Sequence, residues 1–175
     1  LVSKRQDIHY PKPKVISLTQ ATECGTVYSP EELHNIQKVA AKWNLYTHMD
    51  GARFANAVAY LNCSPADITW KAGVDALSLG ATKCGALCAE AVIFFNPNDA
   101  KACTHLRKRA GHLISKGRIF GAQFSGWLEQ NHWLELAMHA NQQAQTLSQA
   151  LQKIKDIQIV WPVDANEIFL VLPKP

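Results

Sequence analysis

Short apolar runs alternate with segments of helical periodicity through much of the chain. Runs of strand length occupy residues 15–18, 45–49, 74–79 and 91–95. Between the first two, Leu33, Ile36, Ala40 and Trp43 recur at helical spacing and form one apolar face. The order strand, helix, strand predicts crossover units in an α/β fold with a mostly parallel sheet.

Local signals indicate where the helices begin. The sequence Ser29-Pro30-Glu31-Glu32 combines a hydroxyl N-cap, a proline in the first turn and acids near the positive end of the helix dipole. A helix is therefore predicted from Pro30. Further helical segments are predicted over residues 52–61 and, as a short turn, over 66–70.

The pattern of hydrophobic residues changes in the last third of the chain. Residues 120–154 have a helical pattern without a proline, and their more apolar stripe carries Phe124, Trp127 and Trp133. Two short predicted strands follow, over residues 157–160 and 168–172. We expect residues 1–141 to belong to a large domain that includes the start of a long interdomain helix. Residues 142–175 are expected to begin a small α+β C-terminal domain, which is incomplete.

Composition is that of a globular protein. The 175 residues are 47% hydrophobic and 18% charged, which is enough to build one domain with a sizeable core. The sequence opens on Leu1, and its last apolar segment stops at the edge of a strand. We therefore expect the chain to be part of a longer polypeptide.

Charge and cysteine content narrow the function classes. The net charge of +4 has one local concentration, over residues 101–118, without interleaved aromatic and basic residues, so no nucleic-acid partner is expected. No membrane-spanning run is present in the sequence, and no membrane partner is expected. Five cysteines, an odd number without paired metal spacing, favour reduced thiols, a cytoplasmic location and no metal site.

Two residues carry the strongest chemical signal. Asp50 and Lys83 each follow an apolar, strand-like stretch, and in open α/β sheets ligands bind beyond the carboxyl ends of the strands. An acid and an amine from neighbouring strand ends are what a pyridoxal phosphate enzyme needs to hold its cofactor. Each residue also has an ordinary interpretation, since aspartate before glycine is a common turn and most lysines are solvated.

Four stretches resemble one enzyme family, the low-specificity L-threonine aldolases. These are fold type I (aspartate aminotransferase-like) pyridoxal phosphate enzymes and relatives of the aromatic β-eliminating lyases. The stretches, which span nearly the whole chain, are His48-Met49-Asp50-Gly51-Ala52-Arg53-Phe54, Ser78-Leu79-Gly80-Ala81-Thr82-Lys83, residues 19–28 and residues 107–112. The resemblance implies that residues 1–141 are the C-terminal part of the cofactor-binding large domain of that fold.

The resemblance also implies roles for individual residues. Lys83 would bind the cofactor covalently, and Asp50 would be the partner of its pyridine nitrogen. Arg53 would lie near the phenolic oxygen of the cofactor and the carboxylate of the substrate, where a guanidinium fork suits a planar anion. Thr82 would help to hold the phosphate, and Arg118 would reach the phosphate in a neighbouring subunit.

Three further residues have two interpretations each. Many relatives have a histidine close to the position of Glu23, so Glu23 is a candidate base for the substrate hydroxyl, or else a loop acid with no catalytic task. His48 is a candidate to orient Asp50 within the cofactor site, or a structural group. A metal site is not predicted there, because His48 and Asp50 lack further ligands. Cys84, beside Lys83, is expected to be a packing residue rather than a nucleophile.

The function implied by the resemblance is cleavage of the Cα–Cβ bond of L-threonine, L-allo-threonine and related β-hydroxy-α-amino acids to glycine and an aldehyde. Such an enzyme would use pyridoxal 5′-phosphate and assemble as a homodimer or homotetramer. Two alternatives stay open. One is a β-eliminating lyase or aminotransferase on the same fold. The other is a noncatalytic role as a self-associating folded core, since the chain alone is expected to be inactive.

Overall fold

The computed structural model of the protein describes residues 8–173. Its main sheet has four strands in the order β1 (Val15–Thr19), β2 (Tyr46–Gly51), β3 (Ala76–Gly80) and β4 (Glu90–Phe94). Strand β2 is parallel to both β1 and β3, whereas β4 runs antiparallel to β3. The predicted α/β fold with a mostly parallel sheet is confirmed.

Six α-helices accompany the sheet within the described residues. They are α1 (Pro30–Lys42), α2 (Phe54–Leu61), α3 (Pro97–Ala100), α4 (Cys103–Arg109), α5 (Arg118–Leu128) and α6 (His132–Leu151). The predicted start of α1 is confirmed: the backbone N–H of Glu32 donates to the Ser29 hydroxyl, and the N–H of Ser29 donates to the Glu32 carboxylate. This reciprocal capping lowers the pKa of Glu32.

The prediction of one long helix over residues 120–154 is wrong. Helices α5 and α6 are separated by a short turn, Glu129–Asn131, in which Gln130 and Asn131 have φ of 50° and 62°. These left-handed residues break the helical hydrogen-bond series. The apolar spacing continues across the break because Trp127 on α5 and Trp133 on α6 are buried in the same core. Periodicity alone therefore did not reveal the turn.

The core lies on one face of the sheet. Met49, Leu77 and Leu79 point into it and are nearly or completely buried. Alternation along β2 places Thr47, Met49 and Gly51 on this side and leaves Tyr46, His48 and Asp50 on the other, more open face. An aromatic cluster extends the core, with Phe54 stacked on Trp133 and Trp133 packed against Trp127.

A second, two-stranded sheet pairs β5 (Gln158–Ile159) with β6 (Leu170–Val171) in antiparallel orientation. Residue 142, the predicted domain boundary, falls inside α6, and this boundary stays a prediction. Asn141 anchors α6 to α2 through two hydrogen bonds to Asn56, of 2.9 and 3.0 Å. Across the described residues, no helix combines the length and hydropathy that a membrane span requires.

Candidate active site

The carboxyl ends of β2 and β3 meet at the same edge of the sheet. Asp50 is in register with Ser78 of β3 and with Thr19 of β1. A Cβ atom on Gly80, the last residue of β3, would lie 2.9 Å from the Cα of Ala52 and 2.8 Å from the Glu90 carboxylate. Only glycine allows this close approach, so the sequence brings together the residues that follow the two strands.

Asp50 keeps part of its hydrogen-bonding capacity. Its side chain is partly buried, and Oδ1 accepts a hydrogen bond of 3.0 Å from the backbone N–H of Ala52. This bond orients the carboxylate from within its own turn. Among residues 8–173, no group hydrogen-bonds to Oδ2 of Asp50. One oxygen of a fixed carboxylate is therefore available to a ligand.

Lys83 lies in a short 3₁₀ turn, Thr82–Cys84, that follows β3. Its side chain is exposed, and no described residue forms an ion pair or hydrogen bond with its amine. The turn itself is anchored: the indole N–H of Trp127 donates to the carbonyl of Cys84 at 2.7 Å, and the Cys84 thiol donates to the carbonyl of Trp133 at 3.4 Å. A free amine thus stands on a fixed backbone.

Cys84 is buried, as expected of a packing residue. Burial raises the pKa of its thiol, and a hydrogen bond involving Trp127 partly opposes this effect. A thiol with a raised pKa stays protonated near neutral pH and is a poor nucleophile. The structure thereby supports packing for Cys84.

Arg53 has a partner that is distant in sequence. One of its terminal nitrogens (Nη2) lies 2.7 Å from Oε1 of Glu167, and the two side chains are 20% and 19% exposed. Nε of Arg53 and Oε2 of Glu167 are buried and have no hydrogen-bond partner in the part of the chain that the structure describes. The pair is thus well shielded and incompletely satisfied.

His48 bridges two serines on neighbouring strands. Its Nδ1 is 2.8 Å from the Ser17 hydroxyl, and its Nε2 is 3.0 Å from the Ser78 hydroxyl. No hydrogen bond joins it to Asp50 among the described residues. Within the described part of the chain, the structure therefore shows no direct contact through which His48 could orient Asp50, the role predicted for it. Any such influence would act through Ser78, which is in register with Asp50.

The remaining predicted residues are less closely assembled. Thr82 donates a hydrogen bond of 2.6 Å to the Glu90 carboxylate, so its hydroxyl is engaged in this structure. Glu23 is exposed on the loop after β1, rather than buried as a tuned base would be. Arg118 is exposed at the first turn of α5. Within residues 8–173, no hydrogen bond or ion pair joins these three side chains to Asp50 or Lys83.

Three residues with polar contacts at this edge were not predicted, namely Glu167, Glu90 and Ser78. Glu167 lies 114 positions after Arg53, the residue with which it pairs. Nothing in the local sequence indicates that contact. Ser78 was detectable, since a strand residue two positions before Gly80 in an otherwise apolar run departs from the hydrophobic pattern.

A model of one protein family matches residues 1–174, and its description is β-eliminating lyase. The chain belongs to the β-eliminating lyase family. It is 49% identical over 172 residues to the low specificity L-threonine aldolase of Pseudomonas aeruginosa, a match that covers 98% of this chain and 50% of that relative. The chain therefore spans about half the length of the curated relatives it matches.

Solved structures agree with this assignment. A threonine aldolase of Leishmania major superposes with a TM-score of 0.89 at 32% identity, covering 97% of this chain and 49% of that one. A PLP-bound protein of Clostridium difficile superposes with a TM-score of 0.65 at 14% identity, covering 90% and 43% respectively. The chain has the fold of the type I pyridoxal phosphate enzymes, which confirms the predicted fold class.

Proposed function

We propose that the intact protein is a pyridoxal-phosphate-dependent aldehyde-lyase. It would cleave L-threonine, L-allo-threonine and related β-hydroxy-α-amino acids to glycine and an aldehyde. The observation that carries the proposal is the meeting of the β2 and β3 ends, with Asp50 half-satisfied beside one and Lys83 free beside the other. The 49% identity to a low specificity L-threonine aldolase supports the choice of reaction.

The side chains at this edge of the sheet are of the chemical types that pyridoxal phosphate requires. Asp50 offers a carboxylate oxygen for a protonated pyridine nitrogen, and Lys83 offers an amine for the aldehyde. Arg53 has a buried, unsatisfied Nε–H that suits an anionic oxygen. When bound, the cofactor supplies a ring that withdraws electrons from the substrate α-carbon. Thr82, His48 and Arg118 are the proposed further cofactor-binding residues.

The chain's own residues then have distinct tasks. Asp50 would keep the pyridine nitrogen positive, Arg53 would hold the substrate carboxylate, and Lys83 would supply the amine that binds the cofactor aldehyde when no amino acid occupies the site. We propose Glu23 as the group that takes the proton of the substrate β-hydroxyl. Its position on the loop after β1, at the same edge of the sheet, supports that role.

Assembly and location are part of the proposal. We propose a homodimer or homotetramer, in which Arg118 reaches a neighbouring active site. Exposed apolar side chains on and around α4 and α5 support self-association, namely Leu106, Leu113, Ile114, Ile119 and Leu128. All five cysteines are free, which is consistent with the proposed cytoplasmic location.

Product analysis tests the reaction. The intact protein, supplied with pyridoxal phosphate and L-threonine, is expected to release acetaldehyde and glycine in equal amounts, as followed with a coupled alcohol dehydrogenase and by amino-acid analysis. With a 2-oxo acid added as amino acceptor, keto acid from threonine without release of ammonia would indicate an aminotransferase, whereas ammonia with a keto acid from threonine, serine or an aromatic amino acid would indicate a β-eliminating lyase. Either result without acetaldehyde contradicts the proposal.

Covalent trapping tests the lysine independently of turnover. Reduction of the cofactor-loaded protein with borohydride is expected to add one pyridoxyl group per chain, and peptide mass spectrometry should locate it on Lys83. Lys71 is a matched control, because it is an exposed lysine engaged with Asp67 on a different part of the surface. Label on Lys71, or no label at all, would overturn the assignment of Lys83.

A further inference from the structure

The segment of residues 163–167 lies against the loop that follows β1. The backbone N–H of Ala165 donates to the carbonyl of Gly25 at 3.1 Å, and the carboxylate of Asp164 accepts from the N–H of Val27, also at 3.1 Å. The side-chain amide of Gln145 donates to the carbonyl of Val163. Backbone and side-chain bonds therefore fix this segment at the edge of the sheet where Asp50 and Lys83 lie.

Gly25 shows how closely Glu167 is held. A Cβ atom on Gly25 would lie 3.1 Å from both the Cβ and the carbonyl oxygen of Glu167, and Gly25 has a φ of +76°. Both the contact and the left-handed backbone favour glycine at this position. The loop after β1 thus packs directly on the backbone and Cβ of Glu167, which fixes the point from which its side chain extends.

The ion pair leaves donors of Arg53 unused. A guanidinium has five N–H groups in a rigid fork, and Glu167 engages one terminal nitrogen at 2.7 Å. A buried, unpaired N–H is unfavourable unless a ligand completes it, and Nε of Arg53 is such a group within residues 8–173. A single carboxylate contact therefore orients Arg53 without satisfying it.

We infer that Glu167 is a positioning residue, which holds the Arg53 guanidinium so that its remaining N–H groups receive the carboxylate of the amino-acid substrate. This inference rests on the proposed function and assigns a new residue to the same site. Glu167 does not touch the substrate; it acts through Arg53. A flexible arginine would lose conformational freedom on binding, and Glu167 has already restricted that freedom in the substrate-free protein.

Glycine binding gives the first test. Glycine added to the intact, cofactor-loaded protein is followed as a change in cofactor absorbance, which yields an equilibrium Kd without turnover. Glu167→Ala is expected to raise this Kd about tenfold. Glu167→Gln keeps an oxygen acceptor at the same length and should recover part of the loss. Glu135→Gln, at an exposed glutamate paired with His132 on α6, is the matched control and should bind glycine normally.

A double-mutant cycle shows whether the effect passes through Arg53. In an Arg53→Ala background, Glu167→Ala is expected to change the glycine Kd by less than about twofold, because the group that it positions is gone. Additive effects of the two substitutions would overturn the inference. So would unchanged or tighter glycine binding by Glu167→Ala alone, since the carboxylate would then be idle or a competitor of the substrate.

Failure of the proposed function would give a different experimental result from failure of the inference about Glu167. If the unsubstituted protein shows no absorbance response to glycine, the amino-acid enzyme proposal fails. The positioning of Arg53 is then tested by the same cycle on the thermal unfolding midpoint of the cofactor-free protein. Strongly non-additive midpoints support a fixed Arg53–Glu167 pair, and additive midpoints contradict it.

Discussion

Lys83 and Arg53 are two cationic side chains that follow neighbouring strands, and their surroundings differ sharply. Lys83 is exposed and has no partner among the described residues, although the backbone around it is anchored by Trp127 and Trp133. Arg53 is mostly shielded and is held by a carboxylate that comes from 114 residues further along the chain. The amine of Lys83 is thus free although its backbone is anchored, whereas the guanidinium of Arg53 is itself held in place.

The difference matches what each group would have to do. An amine that forms and breaks a covalent bond must move and exchange partners, so a permanent ion pair would hinder it. A guanidinium that recognises a planar anion gains from being held in one orientation. The comparison therefore predicts that Lys83 matters for chemistry and little for folding, whereas Arg53 matters for both.

Removal of the Lys83 amine gives the largest expected effect. Lys83→Ala should lower threonine cleavage by about a thousandfold or more, since the proposed covalent attachment of the cofactor depends on this amine. The urea unfolding midpoint of the cofactor-free protein should change little, because the side chain is exposed. Activity close to that of the unsubstituted protein would show that a different lysine holds the cofactor.

Arg53→Ala tests whether the shielded arginine contributes to folding stability, as the comparison with Lys83 predicts. The substitution leaves the carboxylate of Glu167 shielded and unpaired. Breaking a fully buried pair costs about 3–5 kcal/mol, and we expect about 2–3 kcal/mol here because both side chains are one-fifth exposed. Urea unfolding of the cofactor-free protein measures this loss, with Lys83→Ala as the control. Equal stability of the two variants would contradict the contrast between the cations.

The sequence predicted those residues of the site whose positions depend on where the strands end. The apolar runs before Asp50 and Lys83 predicted their strands, and parallel pairing of β2 with β1 and β3 brought these ends to one edge. The pairing of Arg53 with Glu167 was not predicted, because contacts across 114 residues depend on how the C-terminal segment folds back. The break at Gln130 was missed for a different reason, since hydrophobic spacing does not report backbone handedness.

The anchored backbone beside Lys83 can be weakened without touching the amine. Trp127→Phe keeps an aromatic ring but removes the indole N–H that donates to the buried carbonyl of Cys84. We expect a loss of about 1–2 kcal/mol in the free energy of unfolding, because that carbonyl loses its donor. Cofactor affinity should fall as well, measured by absorbance titration, since the Lys83 turn is less restrained.

Trp70→Phe is the matched control for this substitution, because Trp70 is 55% exposed and lies away from the Lys83 turn. Its effect on unfolding should stay within about 0.5 kcal/mol. If both variants lost stability equally, the loss would reflect the smaller ring rather than the hydrogen bond to Cys84. The anchoring of the turn would then have another source.

The smallest expected effect concerns the thiol next to Lys83. Burial raises the pKa of Cys84, and alkylating reagents react with the thiolate, so Cys84 should react with iodoacetamide many-fold more slowly than the exposed Cys88. Because the folded-state pKa is the higher one, the unfolded chain releases this proton first as the pH rises past 9.0. The stabilising contribution of this thiol is thus fully present below that pH and is lost as the pH rises through the higher, folded-state pKa. Labelling followed by peptide mass spectrometry in native buffer and in urea measures both states. Equal rates at Cys84 and Cys88 in the native protein would mean that the backbone carrying Lys83 opens readily, and the amine would then stand on a mobile turn.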